Sequence, residues 1–328
     1  MMAVSADEGL ASRLATLDRL AHERGIALER DAPLGPLTTL RVGGTADRMA
    51  TPGSTRELVD TLRLSRDAGV RAGVLGKGSD IVVADAGIRG LVIRNRADGM
   101  ELDGTAVRAA SGVAMAALVK RCTAAGLAGI EFGISIPGTV GGAVWANAGA
   151  HGGELKDVVV SVDAWRRDRD EPESLPNRDC RFAYRESRFK AGEEIVLGAA
   201  LQLGPGDQAE IAARVAEHQA QRRATQPVAD QNAGSVFRNP DGDHAGRLID
   251  EAGLKGHRIG SAEVSTLHAN FIVVDRNGRA DDVRALGDHV RSVVADRFGV
   301  ELSYEIEFVG EWGDADRWAT PNSELAGT

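Results

Sequence analysis

Residues 136–143 read Ile-Pro-Gly-Thr-Val-Gly-Gly-Ala, and glycine recurs at Gly149, Gly152 and Gly153. So dense a set of residues without Cβ, stiffened by one proline, lets backbone N–H groups approach an anion closely, as in a pyrophosphate cradle. On its own, such a cluster serves equally as a tight turn packed under a sheet. A second cluster shifts the balance: Gly76-Lys77-Gly78-Ser79-Asp80 follows the apolar Gly73-Val74-Leu75 and precedes Ile81-Val82-Val83. Two such loops point to a large ligand with two phosphates. Neither fits the Gly-x-x-x-x-Gly-Lys-Ser/Thr pattern or a Gly-x-Gly-x-x-Gly between strand and helix, which disfavours P-loop and Rossmann readings.

Composition bounds the function classes. A chain of 328 residues, 43% hydrophobic, is long enough for two or three domains and a substantial core. Its 40 glycines and 4% aromatics favour backbone contacts over stacking platforms, and the net charge of −9 opposes nucleic-acid binding. A phosphorylated ligand would therefore need local Arg and Lys. Cys122 and Cys180 form no metal-binding or disulfide pattern, and no metal is expected. The first residues lack a basic and apolar leader, and no apolar run reaches membrane length, so a cytoplasmic protein, neither exported nor inserted, is expected.

Along the chain, Leu10, Leu14, Leu17 and Ala21 recur at helical spacing up to Gly25. Residues 39–44 read as a strand entering a turn, and Ser54-x-x-Glu57 as a capping box that opens a helix. Short strands are predicted at 72–75, 81–84 and 91–94, which suggests a βαββ unit with the first glycine loop between two strands. Asp103-Gly104 marks a hairpin within 101–107, and 113–125 a helix ended by Gly126. Strands follow at 158–165 and 195–203. Between them, residues 180–190 (Cys-Arg-Phe-Ala-Tyr-Arg-Glu-Ser-Arg-Phe-Lys) are dense in basic side chains, which by composition alone describes a solvated loop.

After a helix beginning near Ile211 the pattern changes. A strand at 235–238, a helix at 244–252, strands at 258–264 and 270–275, a helix at 281–298 and a strand at 301–309 give the order β-α-β-β-α-β. The expected division is an N-terminal helix at 1–30, one domain at 31–206, a second at 207–310 and a polar, disordered tail at 311–328. No Gly-x-Ser-x-Gly elbow supports a hydrolase.

Several motifs together resemble the UDP-N-acetylenolpyruvoylglucosamine reductase family. They are Thr39-Leu40-Arg41-Val42-Gly43-Gly44, Gly76-Lys77-Gly78-Ser79, the 136–143 loop with Asn147-Ala148-Gly149-Ala150, residues 232–240 (Asn-Ala-Gly-Ser-Val-Phe-Arg-Asn-Pro), 252–256 and 268–272. The resemblance spans roughly residues 31 to 310. It implies an α+β fold in which an FAD-binding domain of the PCMH, vanillyl-alcohol-oxidase-like class precedes the β-α-β-β-α-β substrate domain. It also implies NADPH-dependent reduction of a UDP-enolpyruvyl sugar through non-covalent FAD, with no nucleic acid, membrane or obligate protein partner. The rivals are another FAD-dependent oxidoreductase of the same flavin fold and a flavin-binding module without catalysis.

Carried over position by position, the family's catalytic groups fall on Arg185, Ser235 and Glu305. Hydride delivered from reduced flavin to the β-carbon of an enolpyruvyl ether leaves charge on the carboxylate and α-carbon. Arg185 and Glu305 would hold that charge and Ser235 would protonate the α-carbon. The implied cofactor set is Arg41, Gly76, Gly78, Ser79, Asp80, Ile136, Gly138, Thr139, Gly141, Gly142 and Asn147; the implied substrate set is Arg223, Arg238 and Asn239. Three positions depart from the family pattern: Asp80 where Asn is usual, and Ser135 and Ser261 where Gly is usual. Asp and Asn make similar turns, but a carboxylate at Asp80 would be uncomfortable near a pyrophosphate.

Overall fold

The computed structural model describes residues 6–313. The expected tail lies outside the described residues from 314 onward. The first helix, Ala6–Arg24, ends at Gly25, whose φ of +67° is the left-handed stop glycine allows. It buries Leu17 and Ala21 against the helix Thr55–Asp67. That second helix starts as expected: Ser54 accepts the Glu57 N–H at 3.2 Å, while the Glu57 carboxylate takes the Gly53 N–H at 2.7 Å.

Two sheets make the first half. One runs in the order 29–33, 45–50, 88–94, 72–75, with its first pair antiparallel and the other two pairs parallel. The other is antiparallel throughout, in the order 173–176, 159–166, 194–202, 106–110, 100–103. Its hairpin turns at Gly104, φ +56°, as Asp-Gly predicts. The helix Met115–Ala124 covers it with Met115, Leu118, Val119 and Cys122 buried at i, i+3, i+4 and i+7. Each such side chain contributes about 2 kcal/mol when removed from water.

One expected strand is corrected here. Residues 39–44 form no strand; the strand is Thr45–Ala50, and the segment before it is an irregular loop whose Thr39 and Thr38 close on the first glycine cluster. The physical reason is that this segment's N–H and C=O groups are used elsewhere, with Thr39 N–H donating to the Gly78 carbonyl at 3.0 Å.

The helix Gln208–Thr225, capped by Asp207, leads into the last part of the chain. There both expected helices form, but the strands differ: the expected strand 258–264 is a hairpin of two, because Gly260 turns the chain at φ +55°, and the first strand lies at 231–232 rather than 235–238. The small antiparallel sheet is 231–232, 272–274, 262–264, 258–259, and 235–238 contributes only a bridge from Phe237 to Tyr304. The final strand, Glu307–Val309, pairs in parallel with Ile81–Val83 of the first half. The hydrophobic cluster of the second half accordingly includes Leu40, Val42 and Val82. The two halves share a core, and their seam carries the charged groups described next.

Candidate active site

The two glycine loops touch. Ser79 Oγ donates to the Pro137 carbonyl, and a Cβ at Gly76 would stand 2.7 Å from Thr139 Oγ1. Gly78, at φ +58°, would place a Cβ 2.9 Å from the Leu37 carbonyl oxygen, and Gly141 would place one 2.8 Å from Ser111 Cβ. Gly138 has φ +150°. Thr139 caps the short helix Val140–Trp145 through the Gly142 N–H. Among the described residues, the N–H groups of Lys77, Gly78, Ser79, Gly138 and Thr139 meet no protein acceptor. A narrow backbone-lined cradle with free donors on both loops fits the pyrophosphate of a dinucleotide such as FAD.

Next to the cradle, a tight turn presents Arg185. Ala183 and Glu186 exchange both backbone hydrogen bonds, at 3.0 and 3.1 Å, which leaves Tyr184 and Arg185 at the tip. Arg185 adopts φ +55°, a left-handed conformation that costs a non-glycine residue about 1 kcal/mol. Such strain at a tip marks a side chain aimed for use. Its Nε donates to Glu305 Oε1 at 2.6 Å and its Nη2 to the Gly149 carbonyl at 3.1 Å. The side chains are 21% and 17% exposed. Burial works against the Arg185 cation, but the charge and hydrogen bond of Glu305 hold its pKa above the ordinary value.

Glu305 is aimed by its neighbours. Ile306 is 3% exposed, and Tyr304 packs its ring on Phe237, 5.0 Å between centroids, and donates its hydroxyl to Asp288 at 2.8 Å. Glu305, in the bend between them, turns its carboxylate to Arg185. The Glu305 N–H donates to the Val236 carbonyl at 2.8 Å, so Ser235 lies one residue from a direct tie to Glu305. Asn270, 4% exposed, clamps that segment by accepting from Phe237 N–H at 3.0 Å and donating to the Phe237 carbonyl at 2.8 Å. The motif around residue 270 was visible in the sequence; its clamping task was not.

The other expected residues divide. Arg238 Nη1 donates to Glu186 Oε1 at 2.6 Å, and its Nε is buried without a partner among the described residues, a donor open to a ligand oxygen. Asn239 accepts from the Ala245 N–H at 3.1 Å, while Arg223 and Arg41 are exposed. Asn147 has a different task from direct cofactor contact. It is fully buried, donating to Ala183 at 2.8 Å and Glu154 at 3.2 Å and accepting from Lys156 N–H at 3.0 Å, so it ties the end of the phosphate loop to the Arg185 turn. Ile136 flanks the loop, half-buried.

The basic stretch 180–190 is not a solvated loop. Phe189 and Cys180 are fully buried, Arg188 pairs with Glu194 at 2.5 Å, and Lys190 Nζ lies 3.5 Å from Glu307 Oε1. Asp80 also belongs to this charged seam: the charges that act on its carboxyl are those of Glu305, Lys190, Glu307 and Arg185. Among the described residues no group of three or more metal-ligating side chains gathers, and no helix is long and apolar enough to cross a membrane.

Comparison with known proteins reaches both halves of the chain. A family model described as an FAD binding domain matches residues 46–168, and one described as the UDP-N-acetylenolpyruvoylglucosamine reductase C-terminal domain matches residues 226–309. UDP-N-acetylenolpyruvoylglucosamine reductase 2 of Symbiobacterium thermophilum is 42% identical over 90% of this chain and 94% of its own length. The Bacillus licheniformis reductase is 39% identical over 88% of this chain and 96% of its own. The crystal structure of the Thermus caldophilus reductase superimposes with a TM-score of 0.74 at 35% identity, covering 86% of this chain and 99% of that one. With an FAD-binding half, a matching C-terminal half and relatives aligned along nearly their whole length, the chain belongs to the UDP-N-acetylenolpyruvoylglucosamine reductase family.

Proposed function

We propose that this protein uses NADPH to reduce UDP-N-acetylenolpyruvoylglucosamine to UDP-N-acetylmuramate, a precursor of peptidoglycan, in the cytoplasm. Residues 31–206 serve the cofactor and 207–310 the substrate. The observation that supports this best is the meeting, beside a cradle fit for FAD, of three segments far apart in sequence: Arg185 on its strained turn, Glu305, and Ser235 one residue from the tie to Glu305.

Bound FAD supplies the hydride that the protein itself cannot. Arg185 takes the substrate carboxylate, a bidentate match for guanidinium, and offsets the charge that grows there. Glu305 holds Arg185 in position, since its carboxylate occupies Nε and leaves the terminal nitrogens to the ligand and Gly149. Ser235 gives its hydroxyl proton to the substrate α-carbon. A serine hydroxyl is a weak acid, so this works because the carbanion-like centre it meets is strongly basic. Arg238, with its unpartnered Nε, and Arg223 and Asn239 bind the UDP-sugar. Arg41, Gly76, Gly78, Ser79, Asp80, Ile136, Gly138, Thr139, Gly141 and Gly142 line the FAD site.

The test is direct. Purified protein should carry flavin absorbance that leaves with the small molecules on denaturation. Anaerobic NADPH should bleach it, and the UDP-enolpyruvyl sugar should restore it. Bleached flavin that only oxygen restores would favour an oxidase of the same fold, and flavin that NADPH does not bleach would favour a binding module.

A further inference from the structure

The turn that carries Arg185 is fastened to the helix Val140–Trp145 and to the residues just after it. Ser187 Oγ donates to the Trp145 carbonyl at 2.6 Å, Asn147 Nδ2 to the Ala183 carbonyl at 2.8 Å, and Arg185 Nη2 to the Gly149 carbonyl at 3.1 Å. Lys190 adds a fourth contact, its ammonium 4.2 Å from the centroid of the Trp145 ring and 3.5 Å from Glu307 Oε1. Residues 183–190 are thus held to the cofactor half on one side and to the segment of Glu305 on the other. Asn147 and Ser187 are 0% and 7% exposed, so water scarcely competes for their bonds. The bond of Ser187 also runs against local preference. Ser187 precedes the 3₁₀ turn Arg188–Ala191, a cap position where a serine ordinarily accepts an N–H of the turn that follows, yet its side chain makes no such bond. Its hydroxyl goes instead to a carbonyl 42 residues away, at the end of a helix where that group has no partner of its own. Arg185, at φ +55°, needs such anchoring, because a strained residue persists only where its surroundings fix it.

We propose that Ser187 is a positioning residue for the reduction step: by tying the Arg185 turn to the helix that leads out of the phosphate loop, its hydroxyl holds the guanidinium where the substrate carboxylate is to arrive. This rests on the function proposed above. The Ser187 proton is spent on Trp145, so the hydroxyl acts through Arg185, and its loss is felt in the step that Arg185 serves.

Two measurements on the full chain decide the matter. With FAD bound, Ser187→Ala should bleach with NADPH at the parent rate, while its reoxidation by the UDP-enolpyruvyl sugar slows about tenfold. Ser187→Thr, which keeps the hydroxyl, should recover most of that rate. The deciding comparison is a double-mutant cycle: in an Arg185→Ala background, removing the Ser187 hydroxyl should cost nothing further. A merely structural hydroxyl would slow reoxidation again by the same factor in that background, or would weaken FAD binding. Either result, or reoxidation of Ser187→Ala at the parent rate, overturns the proposal. Hydrogen exchange reads the turn without turnover. The amides of Ala183 and Glu186, which bond to each other's carbonyls, should exchange about tenfold faster in Ser187→Ala, with those of Ala143 and Ala146 in the helix unchanged. Unchanged exchange at 183 and 186 also overturns it. Should Ser187→Ala fail to fold, Ser187→Cys, whose thiol is a weaker donor, carries the same cycle and the same readings. Parent protein that the sugar does not reoxidise would count against the proposed function alone, and the exchange comparison would still decide whether Ser187 fixes the turn.

Discussion

In the glycine cradle, position is held by backbone: Gly78 sits at φ +58° against Leu37 and Thr38, and Gly76 against Thr139, with no charged side chain among those contacts. In the charged seam, position is held by side chains that arrive from residues 185–190, 238 and 305–307, and its central pair spans 120 residues of sequence. The cradle fails through volume. The seam fails through charge and proton placement. A cradle variant should therefore weaken cofactor binding at every pH, whereas a variant at Arg185, Ser235 or Glu305 should keep the cofactor and change how the substrate is handled.

The largest expected effect lies on the seam side. Ser235→Ala should bleach with NADPH at the parent rate, because that step needs no proton donor over the substrate α-carbon. Its reoxidation by the UDP-enolpyruvyl sugar should slow by about 10²-fold or more. Stopped-flow absorbance separates the two steps, and reoxidation at the parent rate under saturating sugar would remove Ser235 as donor. Next comes Gly78→Ala. The left-handed φ costs about 1–2 kcal/mol for a residue with a Cβ, and the Cβ would also press on the Leu37 carbonyl. FAD titration should show affinity about tenfold weaker, by the same factor at pH 6 and pH 9. A strongly pH-dependent loss would break the distinction between the regions.

The smallest effect tests where the cradle does touch a titrating group. His151 Nε2 lies 2.8 Å from the Ser135 hydroxyl, and the ring stacks on His218 with centroids 3.9 Å apart. Burial first, then the neighbouring His218, lower the His151 pKa below 6.5. The folded protein therefore favours neutral His151, and the stability this provides is present above about pH 6.5 and lost as pH falls through the lower folded value. His151 is exposed, so the effect is modest: between pH 7 and 5 the parent Tm should drop by about 1–2 °C more than that of His151→Gln. Equal drops would leave the pair without influence.

Much of the fold could be read from local signals. The helix ending at Gly25, the Ser54 cap, the Asp103-Gly104 hairpin and the apolar spacing in Met115–Ala124 each follow from a few neighbouring residues. Residues 39–44 misled because their strand-like composition serves a loop whose hydrogen bonds go to Gly78 and, through Thr39 Oγ1, to Asn232. Of the expected last strand, 301–309, only Glu307–Val309 forms one, and its partner lies in the first half; composition carries no record of which edge a strand will choose.

By itself the sequence determined where glycine is indispensable, where helices begin and end, and which family the motifs resemble, because each depends on a single residue's φ or on a short periodic run. Only the tertiary structure decided which base of residues 180–190 meets Glu305, that Asn147 is used up holding the loop, and that Asp80 keeps company with Glu305 and Glu307. These depend on distances of a few ångströms between segments that are remote in the chain. Coulomb energy and desolvation vary steeply over such distances, so the same side chain reads as a solvated charge or a working group according to neighbours that only the fold supplies.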